Sequence, residues 1–272
     1  MTKRGAVVVP LRPKVAIVPW KTAVALPGGN EIVEGSHRIW LAPCRLAEGG
    51  DVMAYIKSLD ERRLFVELLC AAIGGTMGVP CPSPLLVFVR TGNYGVTSKQ
   101  GATLMFGSQA FNHPDVARPL RDRELILHNL RQAKLLELAG VFDEWIANDD
   151  RHDRQILFGS SAGPLFIDHE RAMSSAVSAN DSVKNWLIDE YISMMNDEDR
   201  KKVLSLLRSK AAKAHEVNLG SDLSDGIEYL SRGSELLADL TNFLAARLPE
   251  LDRLLATRTQ PEQGYLRVTA QA

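Results

Sequence analysis

The 272-residue sequence holds only three cysteines, Cys44, Cys70 and Cys81, and no two of them stand at C-x-x-C spacing. So sparse and odd a set argues against a disulfide framework and fits reduced thiols, so the expected location is the cytoplasm. Histidine and cysteine nowhere gather at zinc-ligand spacing. No apolar run approaches the roughly 20 residues that a membrane-spanning helix needs. The opening MTKRGAVVVPLRPKVAIVPW is interrupted by Pro10, Pro13 and Pro19, which makes it a poor signal peptide. Charge of one sign is also missing: the net charge is -1, which argues against a nucleic-acid binder driven by bulk charge. No internal repeat or low-complexity block interrupts the chain. With 45% hydrophobic and 24% charged residues, the composition is that of a soluble globular protein with a large buried core.

The most informative stretch is FDEWIANDDRHDRQILFGSSAGPLFIDHERAM, from Phe142 to Met173. Asp150 follows a helix-like run and precedes ILF. A turn-like GSSAGP and a second apolar run, LFI, then lead to Asp168. A tight hairpin brings the residue before its first strand near the residue after its second. Asp150 and Asp168 are therefore expected to face one small volume. Two carboxylates in one volume repel unless a cation or proton lies between them. Hard divalent ions such as magnesium take oxygen ligands of this kind, often together with substrate phosphates. The residues alone thus point to a metal-phosphate site. The apolar shoulders WIA and ILF set this loop apart from a plain polar turn capped by Asn148.

The wording DRHDRQILF…LFIDHE resembles the HipA-like kinases and is similar to the phosphoinositide kinases, both within the protein-kinase-like superfamily. The resemblance implies an α+β, two-lobed fold with a small β-rich N-lobe and a helical C-lobe, divided as 1–110 and 111–272. It implies ATP and Mg2+ as cofactors and transfer of the γ-phosphoryl group to a hydroxyl, with a protein serine or threonine first and a lipid headgroup or small alcohol after it. Asp150 would orient the acceptor and take its proton, and Asp168 would be the main metal ligand. The family's Asn is replaced here by Gln155, which offers its carbonyl from one methylene further away. That change keeps open a pseudokinase that binds nucleotide or a partner without turnover. A metal-dependent phosphodiesterase is a third class, in which Lys57 has no role. The resemblance further implies a protein substrate and an antitoxin-like partner. His152 is expected to brace Asp168, and His169 and Glu170 are candidates for outer positions.

Upstream, EIVEGSHRIWLAP reads as a hairpin turning at Glu34-Gly35-Ser36-His37, and DVMAYIK as a strand with Val52, Ala54 and Ile56 on one face and Lys57 at its end. A helix over Leu64–Thr76 carries Phe65, Leu68, Leu69 and Ala72 on one stripe and Glu67 on another side. In the kinase resemblance this order makes Gly35 and Ser36 the phosphate loop, with Ser36 a candidate for phosphorylation. Lys57 becomes the phosphate-binding cation and Glu67 its partner, while Phe106, Gly107 and Ser108 lie where the adenine meets the segment between lobes.

The proline-punctuated entry reads as edge strands capping the first sheet, with PGGN at 27–30 as a boundary. Gly140 is expected to end one helix before VFDEWIAN begins the next. Trp145 is expected in the core, and Asp197 as a helix cap. The remainder is helical by its three- and four-residue apolar steps. After Asp168 there is no long activation segment ending in an A-P-E-like motif.

Overall fold

The computed structural model describes residues 13–32, 38–110, 118–159, 163–193 and 195–260. Strands dominate the N-terminal half and helices the C-terminal part, a mixed α+β architecture. After a two-residue strand β1 (Val15–Ala16) come β2 (Lys21–Ala25), β3 (Asn30–Ile32), β4 (Ile39–Leu46), β5 (Asp51–Lys57), β6 (Pro84–Arg90) and β7 (Ala102–Gln109). The last six form one sheet in the order β2-β6-β7-β5-β4-β3, and β2 also pairs with β4. Five strands therefore close on themselves, with β3 as an extension.

So few strands leave a narrow interior, and the sequence fills it with small side chains. Ala23, Ala25, Ala42, Cys44 and Ala54 pack there with Ile56, Leu85, Val87, Val89 and Met105. Gly107 belongs to this interior too: a Cβ at its position would lie 2.6 Å from Val87 Cγ2. Strand alternation then puts Met53, Tyr55 and Lys57 of β5 on the opposite face.

Helix α1 (Glu61–Met77) lies between the closed sheet and the rest of the chain. Asp60 caps it by accepting from the Arg63 N–H, and Gly78, at φ 87°, ends it in the left-handed conformation that glycine adopts without strain. Leu64, Phe65, Leu68, Leu69 and Ile73 are fully buried. The C-terminal helices are α2 (Arg123–Gln132), α3 (Leu136–Trp145), α4 (Trp186–Ile192), α5 (Asp197–Glu216), α6 (Gly233–Arg247) and α7 (Leu251–Thr259). A small sheet orders β10 (Gly163–Phe166), β9 (Ile156–Gly159) and β8 (Arg118–Pro119). The larger hydrophobic core runs from Leu86 and Phe106 through α1 into these helices, so the strand-rich and helical parts share it.

Several expectations are corrected. β1 does not cap the main sheet. It pairs in parallel with β11 (Val217–Asn218), after α5, while Trp20 donates from Nε1 to Asp225 O and packs edge-on against Phe65. β2 is a member of the closed sheet, so PGGN is a turn within that sheet and not a boundary. The break between α2 and α3 falls at Lys134, φ 58°, and Gly140 sits inside α3. Gly140 is there for close packing, because a Cβ would come within 2.7 Å of Ile188 Cγ1 on α4. The cap of α5 is Asn196, whose side chain accepts from Asp199 N. Trp145 is fully buried, as expected, and its Nε1 donates to Leu244 O.

Candidate active site

Lys57 ends β5 only 9% exposed, and its ammonium meets three carboxylates. Nζ lies 2.5 Å from Glu67 Oε1, 2.6 Å from Asp168 Oδ1 and 3.0 Å from Glu170 Oε2. The Phe106 ring, opposite Lys57 on β7, lies 5.6 Å from Nζ. Burial works against the ammonium, but Glu67, Asp168 and Glu170 outweigh it and hold its pKa above the ordinary lysine value. Burial likewise works against the Glu67 carboxylate. Lys57 and a hydrogen bond from His169 overcome it and keep Glu67 well below the usual carboxylate range. Glu67 Oε2 accepts from the His169 backbone N–H at 2.9 Å, and the His169 ring is buried edge-on against Phe142.

The loop that carries Asp150 is built on the end of α3. Asp143, in the last turns of the helix, binds Arg151 through both oxygens at 2.9 Å and accepts from Asn148 Nδ2 at 3.1 Å. Ala147 turns the chain at φ 50°, and Asn148 Oδ1 accepts from Asp150 N at 3.3 Å. Arg151 also donates to Ile167 O at 2.9 Å, tying the loop to the backbone just before Asp168. Arg151 and Asp143 are 2% and 1% exposed, and losing either partner of such a pair costs about 3–5 kcal/mol.

The hairpin of β9 and β10, with Ile156 opposite Phe166, brings the two ends together. Gln155 ends a single helical turn before β9 and stands between the acidic residues. Its Nε2 lies 3.3 Å from Asp150 Oδ2 and 3.5 Å from Asp168 Oδ2. Gln155 Oε1 is buried with no hydrogen-bond partner. Asp168 holds φ at 61°, a left-handed conformation that Asp tolerates better than most residues. Arg171 Nη1 reaches Asp150 Oδ1 at 3.2 Å from an exposed position. Oxygens of Glu67, Asp168 and Glu170 lie within 4.8 Å of one another. This all-oxygen donor set, with the unpartnered Gln155 carbonyl beside it, suits a hard divalent cation.

The HipA-like kinase profile matches residues 30–216. The chain belongs to the HipA-like kinase family. Among solved structures it is similar to the crystal structure of a Helicobacter pylori proinflammatory kinase, CtkA, at 12% identity and a TM-score of 0.46, over 91% of this chain and 98% of that one. No curated protein matches. The HipA-like stretch stops at the end of α5, so β1, β2, α6 and α7 lie outside it.

Of the residues singled out in the sequence, Lys57, Glu67, Asp150, Gln155 and Asp168 come together at this one place. Gly35 and Ser36 fall outside the described residues. Phe106 and Ser108 border a small cavity beside Glu67 and His169. They sit inside β7, which continues to Gln109, rather than in a connecting segment, and Gly107 turns into the closed sheet. Bracing by His152 is corrected as well. Its ring is largely exposed and its Nδ1 accepts from Arg154 N, because the loop is held by Arg151 instead.

Nothing in the sequence marks Asp143 or Arg151, and Glu170 is open there between an outer position and solvent. The i, i+2 spacing of Asp168 and Glu170 is a usable signal. The Asp143–Arg151 pair had none, since nothing in the sequence shows which buried acid meets which base. No helix among the described residues is long and apolar enough to cross a membrane.

Proposed function

We propose that this protein is an ATP- and magnesium-dependent kinase that transfers the γ-phosphoryl group to a hydroxyl, with a protein serine or threonine as the first choice of acceptor. The observation that carries this reading is the convergence of Lys57, Asp168, Gln155 and Asp150 from β5, the hairpin and the loop after α3. In this reading Lys57, fixed by Glu67, neutralises phosphate oxygens in a site that excludes much of the surrounding water. Asp168 and Gln155 hold the magnesium. A magnesium ion held there would supply positive charge to offset that of the phosphates. Asp150 orients the acceptor hydroxyl and takes its proton, displacing the exposed Arg171 from Oδ1.

The nucleotide base then rests on the face of β5 that ends in Lys57, where Tyr55 and Met53 are 36% and 40% exposed. Residues 1–110 form the nucleotide-covering lobe and 111–272 the helical lobe, with β1 crossing between them. A protein substrate, an antitoxin-like partner and a cytoplasmic setting complete this reading.

A second reading is a nucleotide-binding module without turnover. It is favoured by one detail: Gln155 stands where the resembled loop has Asn, with its carbonyl one methylene further out. The test is transfer of labelled γ-phosphate from ATP to serine- and threonine-containing protein by wild type and Asp150→Asn. Transfer by wild type alone supports the kinase. Nucleotide binding with no transfer by either supports the second reading.

A further inference from the structure

We propose that residues 217–231 and the strap of residues 14–20 form a clasp that holds α1 from behind. Trp20 is its main positioning residue, and the clasp keeps Glu67 on Lys57 without a partner or a modification. The consequence for catalysis rests on the kinase reading above, and the clasp itself rests on the fold.

The starting point is connectivity. Residues 217–231 join α5 to α6, two helices of the C-terminal part, yet between them the chain crosses to the strand-rich part. β11 pairs with β1, with Val15 opposite Val217 and Ala16 opposite Asn218. Lys14 Nζ donates to His215 O at 2.7 Å, and the Ile17 N–H donates to Ser221 Oγ at 2.9 Å. Trp20 Nε1 donates to Asp225 O at 2.9 Å. Gly226, at φ 79°, passes so close to β2 and β6 that a Cβ would lie 2.8 Å from Thr22 Cγ2 and 2.7 Å from Leu86 Cδ2. Tyr229 stands edge-on to Phe88 of β6, with ring centres 4.9 Å apart. Ser231 closes the segment: its N–H and its hydroxyl both donate to Glu61, in the first turn of α1, at 2.9 Å.

The second point is which side of α1 is held. The Trp20 ring lies edge-on to Phe65, 6.2 Å between centres, and Ser231 binds Glu61. Phe65 and Glu61 precede Glu67 by two and six residues. At 3.6 residues per turn they stand roughly 200° and 240° round the helix, on the far side from Glu67. The clasp therefore backs the part of α1 whose front meets Lys57. Arg62 Nη2 donates to Met173 O at 2.5 Å, which ties the same turn to the segment after Asp168. Ile17, Trp20, Leu223 and Ile227 are buried in the larger core, so an outward movement of α1 would bring apolar surface into water.

The third observation is coverage. Both pieces of the clasp lie outside residues 30–216, so the family match does not by itself account for them. They hold the one helix whose displacement would part Glu67 from Lys57. Transfer needs that pair in place. A helix free to swing would leave only a fraction of the molecules competent, and ATP would bind more weakly by that fraction. The clasp keeps the fraction near one.

The test is hydrogen exchange of the full chain, shown by intact mass to be unmodified, with ATP kinetics alongside. Wild type is compared with Trp20→Ala and with Trp20→Phe, which keeps a ring against Phe65. In Trp20→Ala the amides of α1 should exchange about tenfold faster while those of α3 stay within about twofold, and ATP with magnesium should slow α1 again. KM for ATP should rise about fivefold with kcat within about twofold, because saturating nucleotide draws α1 back. Trp20→Phe should fall between the two. Equal acceleration in α1 and α3, or none in α1, overturns the proposal. If Trp20→Ala does not fold, the double variant Glu61→Gln with Ser231→Ala carries the exchange measurement. Its α1 should exchange about threefold faster, and the wild-type rate there overturns the clasp. No phosphoryl transfer by wild type overturns the kinase reading alone, and exchange then decides the clasp.

Discussion

The Lys57 cluster and the cluster around Glu144 are both ionic and largely buried, but among the described residues only the second matches acids to bases one for one. Glu144, fully buried near the end of α3, faces Arg247 at 3.3 Å and Arg258 at 2.5 Å, and Arg258 also meets Asp189 at 2.9 Å. Two acids face two bases. The remaining donors go to backbone: Arg247 binds Glu144 O, Ala179 O and Asp181 O at 2.8, 3.0 and 2.8 Å. Asn185 completes the set by donating to Gly140 O and Glu144 Oε2. Such a network asks for nothing from outside. It locks α6 and α7 onto the helix that launches the Asp150 loop. The Lys57 cluster sets one ammonium against three carboxylates among the described residues and keeps an unpartnered carbonyl beside it. A buried network that closes is architecture, and one that stays open is a place for a ligand.

The largest effect expected from breaking this contrast is on turnover. Asp150→Asn should lower phosphoryl transfer by about a thousandfold, the scale of a lost general base, while leaving the ATP-induced rise in melting temperature in place. Transfer near the wild-type rate would remove Asp150 from the chemistry.

Stability comes next. Lys57→Met removes the ammonium that faces three carboxylates, and Arg247→Met removes one of the two guanidinium groups at Glu144, so each should destabilise by about 3–5 kcal/mol in urea melts. The two should part when a divalent cation is added. Magnesium or calcium at millimolar levels should restore much of the loss in Lys57→Met and none in Arg247→Met. Equal responses would dissolve the distinction between open and closed clusters.

The acid limb sharpens the contrast further. Glu67 is held below its ordinary value of 4.5, so its stabilising contribution is present above that pH and is lost as pH falls through the folded-state value. Lys57 is held above 10.5, so its contribution is full below that pH and fades only in stronger base. The pair should therefore contribute evenly between about pH 5 and 10. Urea melts from pH 7 to 3 should show wild type losing more stability below 4.5 than Glu67→Gln does. Parallel curves would mean that Glu67 is not ionised in the fold.

Gly140→Ala should have the smallest effect. It introduces a methyl group against Ile188 where α3 meets α4, and overpacking of this kind costs about 1–3 kcal/mol. A raised melting temperature would mean that the helix propensity gained outweighs the contact.

Much of this site was legible in the chain because its geometry is local. Asp150, Gln155 and Asp168 are joined by one short hairpin, and Lys57 and Glu67 end a strand and ride a helix with clear periodicities. What was hidden depends on contacts between distant segments. Nothing in KVAIVP announces that Val15 pairs with Val217, more than two hundred positions away. Gly140 and Gly107 look like breaks in sequence, yet both are packing sites whose neighbours, Ile188 and Val87, lie on other elements. His152 drew attention through its chemistry, whereas the buried brace is Arg151, selected by an acid on the preceding helix. Small residues read correctly as permissive. Whether they permit a turn or a close approach is decided by what faces them.

The most direct measurement is the melting temperature of wild type and Asp168→Asn with ATP alone and with ATP plus magnesium. A ligand that binds the native state must raise the melting temperature by mass action. The account predicts a larger rise with magnesium than without it in wild type, and loss of that increment in Asp168→Asn. An increment that persists in the variant, or the absence of any rise in wild type, would contradict it.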